Sequence, residues 1–269
     1  MKILVLTSSF RKTGNTYLLT HLLCQQIQQV ADRYQIPVDF DTINLSEQNI
    51  SYCRGCRVCF DKGETFCPEW DEIAPIKEAL KEADIWIFAS PVYVEDVNGV
   101  MKVFLERMAH VNHRPEFAGK YAVLLTTSGS GSSGHACMTM ASTLRAWGVK
   151  VIAQKDFIAG SLSTEKKLFA RFEKSLDKIA QKVINSYRNH ENYEPSFISL
   201  LFFAVQQKLW RKSTNCKDHP DYLYWQSNNW LQPGVTFFIP HKGNPLAVLT
   251  ARMAGSIIAL FFEGMSDQL

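Results

Sequence analysis

The chain has 269 residues, 46% of them hydrophobic, enough to bury one large globular core or a core with an extension. Its formal net charge is only +3, its basic residues are scattered and no nucleic-acid-binding motif appears, which leaves no case for a nucleic-acid partner. The opening run Met1–Leu6 turns polar at once and lacks a small-residue cleavage site, so it reads as a strand, not a signal peptide, and the expected location is cytoplasmic.

Strand and helix signals then alternate. Lys2–Thr7 is a short β-rich run, and Leu19, Leu22, Leu23, Ile27 and Val30 mark one face of a helix. Val38–Ile43 reads as a second strand, Asp71–Ala83 as a charged amphipathic helix and Ile85–Ala89 as an apolar strand. Val97, Val100, Met101, Phe104, Leu105 and Met108 form a 3.6-period stripe. Strand Tyr121–Thr126, helix Ala136–Trp147, strand Val149–Phe157 and a long helix through Phe172, Leu176, Ile179 and Val183 follow. Five such units predict an α/β fold with a doubly wound, five-stranded parallel sheet covered on both faces. In such sheets ligands bind beyond the carboxyl ends of the strands.

Three loops at that edge carry suitable chemistry. The first, Thr7–Thr16, is rich in hydroxyls, holds Arg11 and turns into its helix at Gly14, which suits a phosphate dianion. It has neither the GxGxxG spacing nor the Gly-Lys-Ser/Thr of a triphosphate loop. The second opens Ala89-Ser-Pro-Val-Tyr93, where Pro91 fixes the backbone and Val92 and Tyr93 offer an apolar and an aromatic surface to a planar ring. The third, Thr126–Gly134, alternates glycine with hydroxyl residues and can wrap closely around a ligand.

Four of the seven cysteines lie within fifteen positions, in Cys53-Arg-Gly-Cys56-Arg-Val-Cys59 and then Cys67. Thiolates so spaced can face one centre and form a four-sulfur cage, which leaves an iron–sulfur cluster, zinc or a thiol/disulfide site open. Zinc fits least well, because structural zinc sites usually take two separated ligand pairs. Arg54 and Arg57 place positive charge inside the loop, where they would offset a thiolate-ligated cluster or depress thiol pKa values. His110 and His113 are expected to cap the last carbonyls of the preceding helix, and His135 follows the glycine-rich loop.

These residues resemble the flavodoxin-like NAD(P)H-dependent FMN reductases and, within them, the iron–sulfur flavoproteins. The resemblance covers roughly residues 1–185. It rests on Ser9-x-Arg11-x-x-Gly14-Asn15-Thr16, the cysteine run, Asp71-Glu72, Ala83-Asp84, and Ser90-Pro91-Val92-Tyr93 with Gly99 and Lys102. It implies FMN, with its phosphate on Ser9, Arg11, Gly14, Asn15 and Thr16 and its ring against Pro91, Val92, Tyr93, Thr127, Ser128 and Gly129. NAD(P)H is implied as co-substrate, Cys53, Cys56, Cys59 and Cys67 as ligands of a [4Fe-4S] cluster, and a homodimer or homotetramer as the assembly. No residue is named as catalytic, because hydride chemistry belongs to the cofactor.

Residues 1–188 are thus expected to form the FMN-binding domain, and residues 189–269 a mostly helical, aromatic-rich extension. In the extension, Pro195–Trp210 and Leu246–Met265 read as helices flanking a Trp- and Tyr-rich stretch, Asp218–Pro240. Neither is long and apolar enough to span a bilayer, and Arg252 interrupts the second, so both are expected to pack on the domain or across a dimer. Tyr222, Tyr224, Trp225 and Trp230 either cover the flavin pocket or fill a small core, and Cys216 stands alone. The expected function is electron transfer from NAD(P)H to a small acceptor such as a quinone, nitro compound, metal or flavin. The alternatives are an electron carrier serving protein partners and a redox or metal sensor.

Overall fold

The computed structural model describes residues 1–69, 73–131, 134–160, 164–213 and 217–262. Asp71, Glu72, Ser132, Ser133, Cys216 and the end of the second C-terminal helix as expected from sequence lie outside them. In chain order the elements are β1 (Lys2–Thr7), α1 (Asn15–Arg33), β2 (Asp39–Asn44), α2 (Val58–Asp61), α3 (Ile73–Glu82), β3 (Ile85–Tyr93), β4 (Asp96–Val97) and α4 (Gly99–Arg107). They continue with β5 (Tyr121–Ser128), α5 (Gly134–Ala146), β6 (Lys150–Ile158), α6 (Glu165–Arg188), α7 (Phe197–Lys212), α8 (Pro220–Ser227) and α9 (Pro245–Ile258).

Five strands run parallel in the order β2-β1-β3-β5-β6, the doubly wound topology of flavodoxin-like folds. The central strands β1, β3 and β5 are continuous apolar runs because both faces of the sheet are covered. On one face the core comprises Ile3, Val5, Ile87 and Val123 with α1 and α6. On the other, Leu4, Trp86, Phe88 and Leu124 meet α3, α4 and α5.

Two expectations need correction. β3 does not end at Ala89 but continues through Pro91 to Tyr93, and Pro91 sits in register with Thr127 of β5. The strand then folds back through Val94 and Glu95 onto β4, so Val97 belongs to a hairpin, not to the helical stripe. Likewise β5 runs to Ser128, so Thr127 and Ser128 are strand-end residues and not loop.

The extension shares the first core. Phe203 of α7 and Trp225 of α8 pack with Trp230, Phe237 and Phe238, with ring centroids 4.7–6.0 Å apart. Trp225 and Trp230 are therefore core residues. They also satisfy their indole N–H groups, Trp225 donating to the His113 carbonyl at 2.8 Å and Trp230 to the Phe238 carbonyl at 3.0 Å. Among the described residues no helix is long and apolar enough to cross a membrane.

Candidate flavin cradle and cysteine cavity

The three sequence-marked loops meet at the carboxyl edge of the sheet. Thr16 and Thr127 hydroxyls lie 2.6 Å apart, tying the start of α1 to the end of β5. Asn15 Nδ2 donates to the Gly160 carbonyl at 3.1 Å, bringing in the loop after β6. Asn98, which the motifs did not mark, holds the second loop to the first: its Nδ2 donates to the Ser8 carbonyl at 2.6 Å and its Oδ1 caps α4 by accepting from the Met101 N–H. An asparagine just ahead of an apolar helical stripe is an N-cap signal, and that signal was available in the sequence.

The start of α1 is shaped for an anion. Ser9 Oγ donates to the Arg11 carbonyl and accepts the Arg11 N–H, which curls the loop back on itself and leaves the Arg11 side chain exposed. Gly14 precedes the helix with no side-chain cap, so the first-turn N–H groups of α1 lack that partner. A Cβ on Gly14 would lie 3.2 Å from the Arg11 carbonyl oxygen and 3.3 Å from Arg11 Cβ, so any other residue would push the loop away from the helix start. Ser8 Oγ and Asn15 Oδ1 are buried here without hydrogen-bond partners. An uncapped helix start, an exposed guanidinium and an orphaned hydroxyl fit the phosphate end of a flavin nucleotide. Two expected phosphate contacts are partly committed inside the protein, the Thr16 hydroxyl to Thr127 and the Asn15 amide nitrogen to Gly160. Beside them Tyr93 is half exposed, and a Cβ on Gly129 would meet nothing within 4 Å, leaving room for a flat ring. His135 stands at the same edge, its Nε2 3.5 Å from Asp96 Oδ2.

All four clustered cysteines line one cavity of about 80 Å³, together with Phe60, Glu106, Arg107 and Ala109. The loop reaches this shape through left-handed backbone at Gly55 (φ 63°) and Arg57 (φ 64°), after which α2 presents Cys59. Cys53 and Cys56 are exposed, and Cys59 and Cys67 are half-buried. Burial and the neighbouring Cys67 push the Cys59 thiol up to about 11, against the opposing pull of Arg114.

Arg54 and Arg57 line the cavity as expected, each with an acidic partner. Arg54 pairs with Glu69, and Arg57 lies 3.5 Å from Asp61. Two buried cations join them: Arg107, which also lines the cavity, donates to the Ser51 carbonyl at 2.8 Å, and Arg114 donates to the Cys59 carbonyl at 2.7 Å. Behind them Lys77 Nζ is buried between Glu64 at 2.7 Å and Glu116 at 2.6 Å, with His110 Nε2 3.3 Å away. Glu64, His110 and Glu116 have the spacing of metal ligands, but the Lys77 ammonium occupies their centre. Burial and that ammonium press His110 down to about 3. Glu64 falls to about 2, because the Lys77 bond and charge outweigh the upward push of burial. His110 and His113 thus engage the interior and not the end of α4, with His113 Nδ1 2.9 Å from Asp221 Oδ2. No sequence spacing could have joined Lys77, Arg114 and Asp221.

The Ser8 loop and the cysteine cavity lie at opposite ends of α4, which spans roughly 13 Å over its nine residues.

Comparison with known proteins agrees with this geometry. Residues 1–185 match the family model described as NADPH-dependent FMN reductase. An iron-sulfur flavoprotein of Archaeoglobus fulgidus is 26% identical over 237 residues, covering 86% of this chain and all of that one. Another from Clostridioides difficile is 27% identical over 228 residues, covering 82% and 94%. Among solved structures, a flavone reductase (TM-score 0.53, 16% identity, 73% of this chain and 66% of that one) shares the fold. So does a putative quinone reductase from Klebsiella pneumoniae (TM-score 0.52, 16% identity, 68% and 85%). A flavodoxin-like sheet, an anion-ready α1 and a match across residues 1–185 place the chain in the NADPH-dependent FMN reductase family, whose members are flavin-dependent oxidoreductases.

Proposed function

We propose that the protein binds FMN at the carboxyl edge of the sheet, takes electrons from NAD(P)H and delivers them to a small acceptor such as a quinone. The start of α1, with no side-chain cap, together with the orphaned Ser8 hydroxyl carries this reading, because both offer donors for a phosphate. Bound flavin would supply acceptance of a hydride and release of electrons singly or in pairs. The chain's own residues bind and orient. Ser9, Arg11, Gly14, Asn15 and Thr16 hold the phosphate end, and Pro91, Val92, Tyr93, Thr127, Ser128 and Gly129 border the ring. Cys53, Cys56, Cys59 and Cys67 hold a [4Fe-4S] cluster, supported by the shared cavity and the names of the two relatives. Residues 1–188 are the flavin-binding unit, and residues 189–269 an extension that buttresses the cysteine loop.

A second reading, an electron carrier to protein partners, draws on the exposure of Cys53 and Cys56, which would put a cluster near the surface. Absorption spectra with iron and acid-labile sulfide assays on protein purified without oxygen test the two cofactors. Steady-state NADH and NADPH oxidation with quinone, nitro and flavin acceptors separates the readings. Bound flavin and iron with no turnover on any small acceptor would leave the carrier. Protein that binds neither FMN nor iron would remove both.

A further inference from the structure

On α9 the residues Leu246, Leu249, Met253, Ile257 and the following Leu260 are each more than half exposed, while Ala251 and Gly255 on the opposite face are buried against α7. A Cβ on Gly255 would lie 2.7 Å from the Ala204 Cβ, so α9 lies tightly on α7 and turns its apolar stripe outward. The stripe is symmetric in sequence. Leu249 and Ile257 stand four residues either side of Met253, and Leu246 and Leu260 stand seven. Laid antiparallel on itself about Met253, it sets Leu246 against Leu260, Leu249 against Ile257 and Met253 against its own copy. A two-fold isologous contact requires that self-complementarity.

We infer that α9 is a self-association surface, occupied by α9 of a second copy of this chain in antiparallel, two-fold packing. With the adjoining Phe261 and Phe262, the stripe offers on the order of 800 Å² of apolar side chain per copy, about what a standard interface takes from each partner. Charge argues for protein over lipid. Residues 189–269 hold six Lys and Arg (208, 211, 212, 217, 242, 252) and six Asp and Glu (191, 194, 218, 221, 263, 267), a net of zero. A helix lying in a membrane interface carries Lys and Arg on its polar face to meet anionic headgroups. The inward face of α9 is instead small and apolar, and the helix's one charged side chain, Arg252, donates to the Pro233 carbonyl at 2.9 Å.

Sedimentation velocity of the full chain tests this, with M253E, M253K and their mixture. Wild type is expected as a dimer or an even multiple at micromolar concentration. Each single variant should dissociate at least 100-fold more readily, because like charges would meet on the two-fold axis. The mixture should recover mixed dimers. Met253 is largely exposed in the single chain, so circular dichroism and melting of the variants should match the wild type at dilution. L249E with I257K gives the same readout one turn away. A monomeric wild type, or an oligomer indifferent to M253E, would overturn the proposal. Co-sedimentation of wild type with phosphatidylglycerol/phosphatidylcholine vesicles, lost in M253E, would reassign the stripe to a bilayer and equally overturn it.

Discussion

Arg114 Nη1 lies 3.2 Å from Asp221 Oδ1, two buried charges 107 residues apart, and the other arm of the same guanidinium holds the Cys59 carbonyl. The extension thereby reaches the cysteine loop through one side chain. Asp221→Ala would take from Arg114 one of two carboxylates, leaving Glu64 Oε2 at 3.2 Å, and cost about 1–3 kcal/mol of stability, because the buried guanidinium arm loses its charged partner. Arg114→Met on that background should recover part of the loss. Urea denaturation of the two variants reads both effects, and equal stability of wild type and Asp221→Ala would show that Arg114 is satisfied without the pair.

Acid should weaken the protein in two windows. An unfolded histidine takes its proton near 6.5, whereas His110 in the folded chain stays neutral down to about 3. As pH falls the unfolded chain therefore binds that proton first. The stability held by neutral His110 is complete above about 6.5 and is lost progressively toward 3. Glu64, depressed from 4.5 to about 2, contributes stability above 4.5 that disappears as pH drops toward 2. His110→Asn should flatten the stability profile between pH 6.5 and 4.5 relative to wild type. Parallel profiles would show that His110 titrates alike in both states.

Gly14→Val should cost little in folding and much in flavin binding. The new side chain would meet the Arg11 backbone and push the loop off the start of α1. FMN affinity is expected to fall at least tenfold, about 1.4 kcal/mol, by fluorescence titration. Riboflavin, which lacks the phosphate, should be affected far less. An equal loss for both ligands would place the phosphate elsewhere.

Iron should depend on four cysteines and no others. Serine at Cys53, Cys56, Cys59 or Cys67 is expected to bring iron and acid-labile sulfide to background. Serine at Cys24 or Cys137, one held up to about 12 by burial and the other 3.3 Å from the Thr126 hydroxyl, should leave both unchanged. Full iron in Cys67→Ser would strike Cys67 from the ligand set.

The hairpin between β3 and β4 is built from unsuited residues. Val94 and Glu95 both adopt positive φ, 51° and 66°, and Val94 is 99% exposed. Such a turn prefers Asn-Gly, and a β-branched residue there is strained. Val94→Asn with Glu95→Gly should stabilise the fold by about 1 kcal/mol in a melting experiment. A lower melting temperature would mean that Val94 packs in solution.

What sequence reading reached and what it missed divide by range. The α1 face and the central strands follow a local period, and the loops follow from the strands, so the sheet edge could be placed with its Ser, Arg and Gly. The continuation of β3 past Pro91 could not, because proline lowers strand propensity everywhere except where one neighbour needs no N–H from it. The cysteine spacing pointed to a cage and to Arg54 and Arg57 as its nearest charge, and both line the cavity. Arg107 and Arg114 arrive by folding of the segment after β3, where nothing local marks them.

The family match stops at residue 185, but the forces holding residues 1–185 do not. Tyr121 at the start of β5 contacts Tyr193, Trp225 takes the His113 carbonyl, and Asp221 answers Arg114. A chain cut after Arg188 would keep the whole of that match and still expose a bare apolar flank and take from Arg114 one of its two carboxylates. The folding unit thus runs past the end of the family match, and the tail is part of what lets residues 1–185 fold.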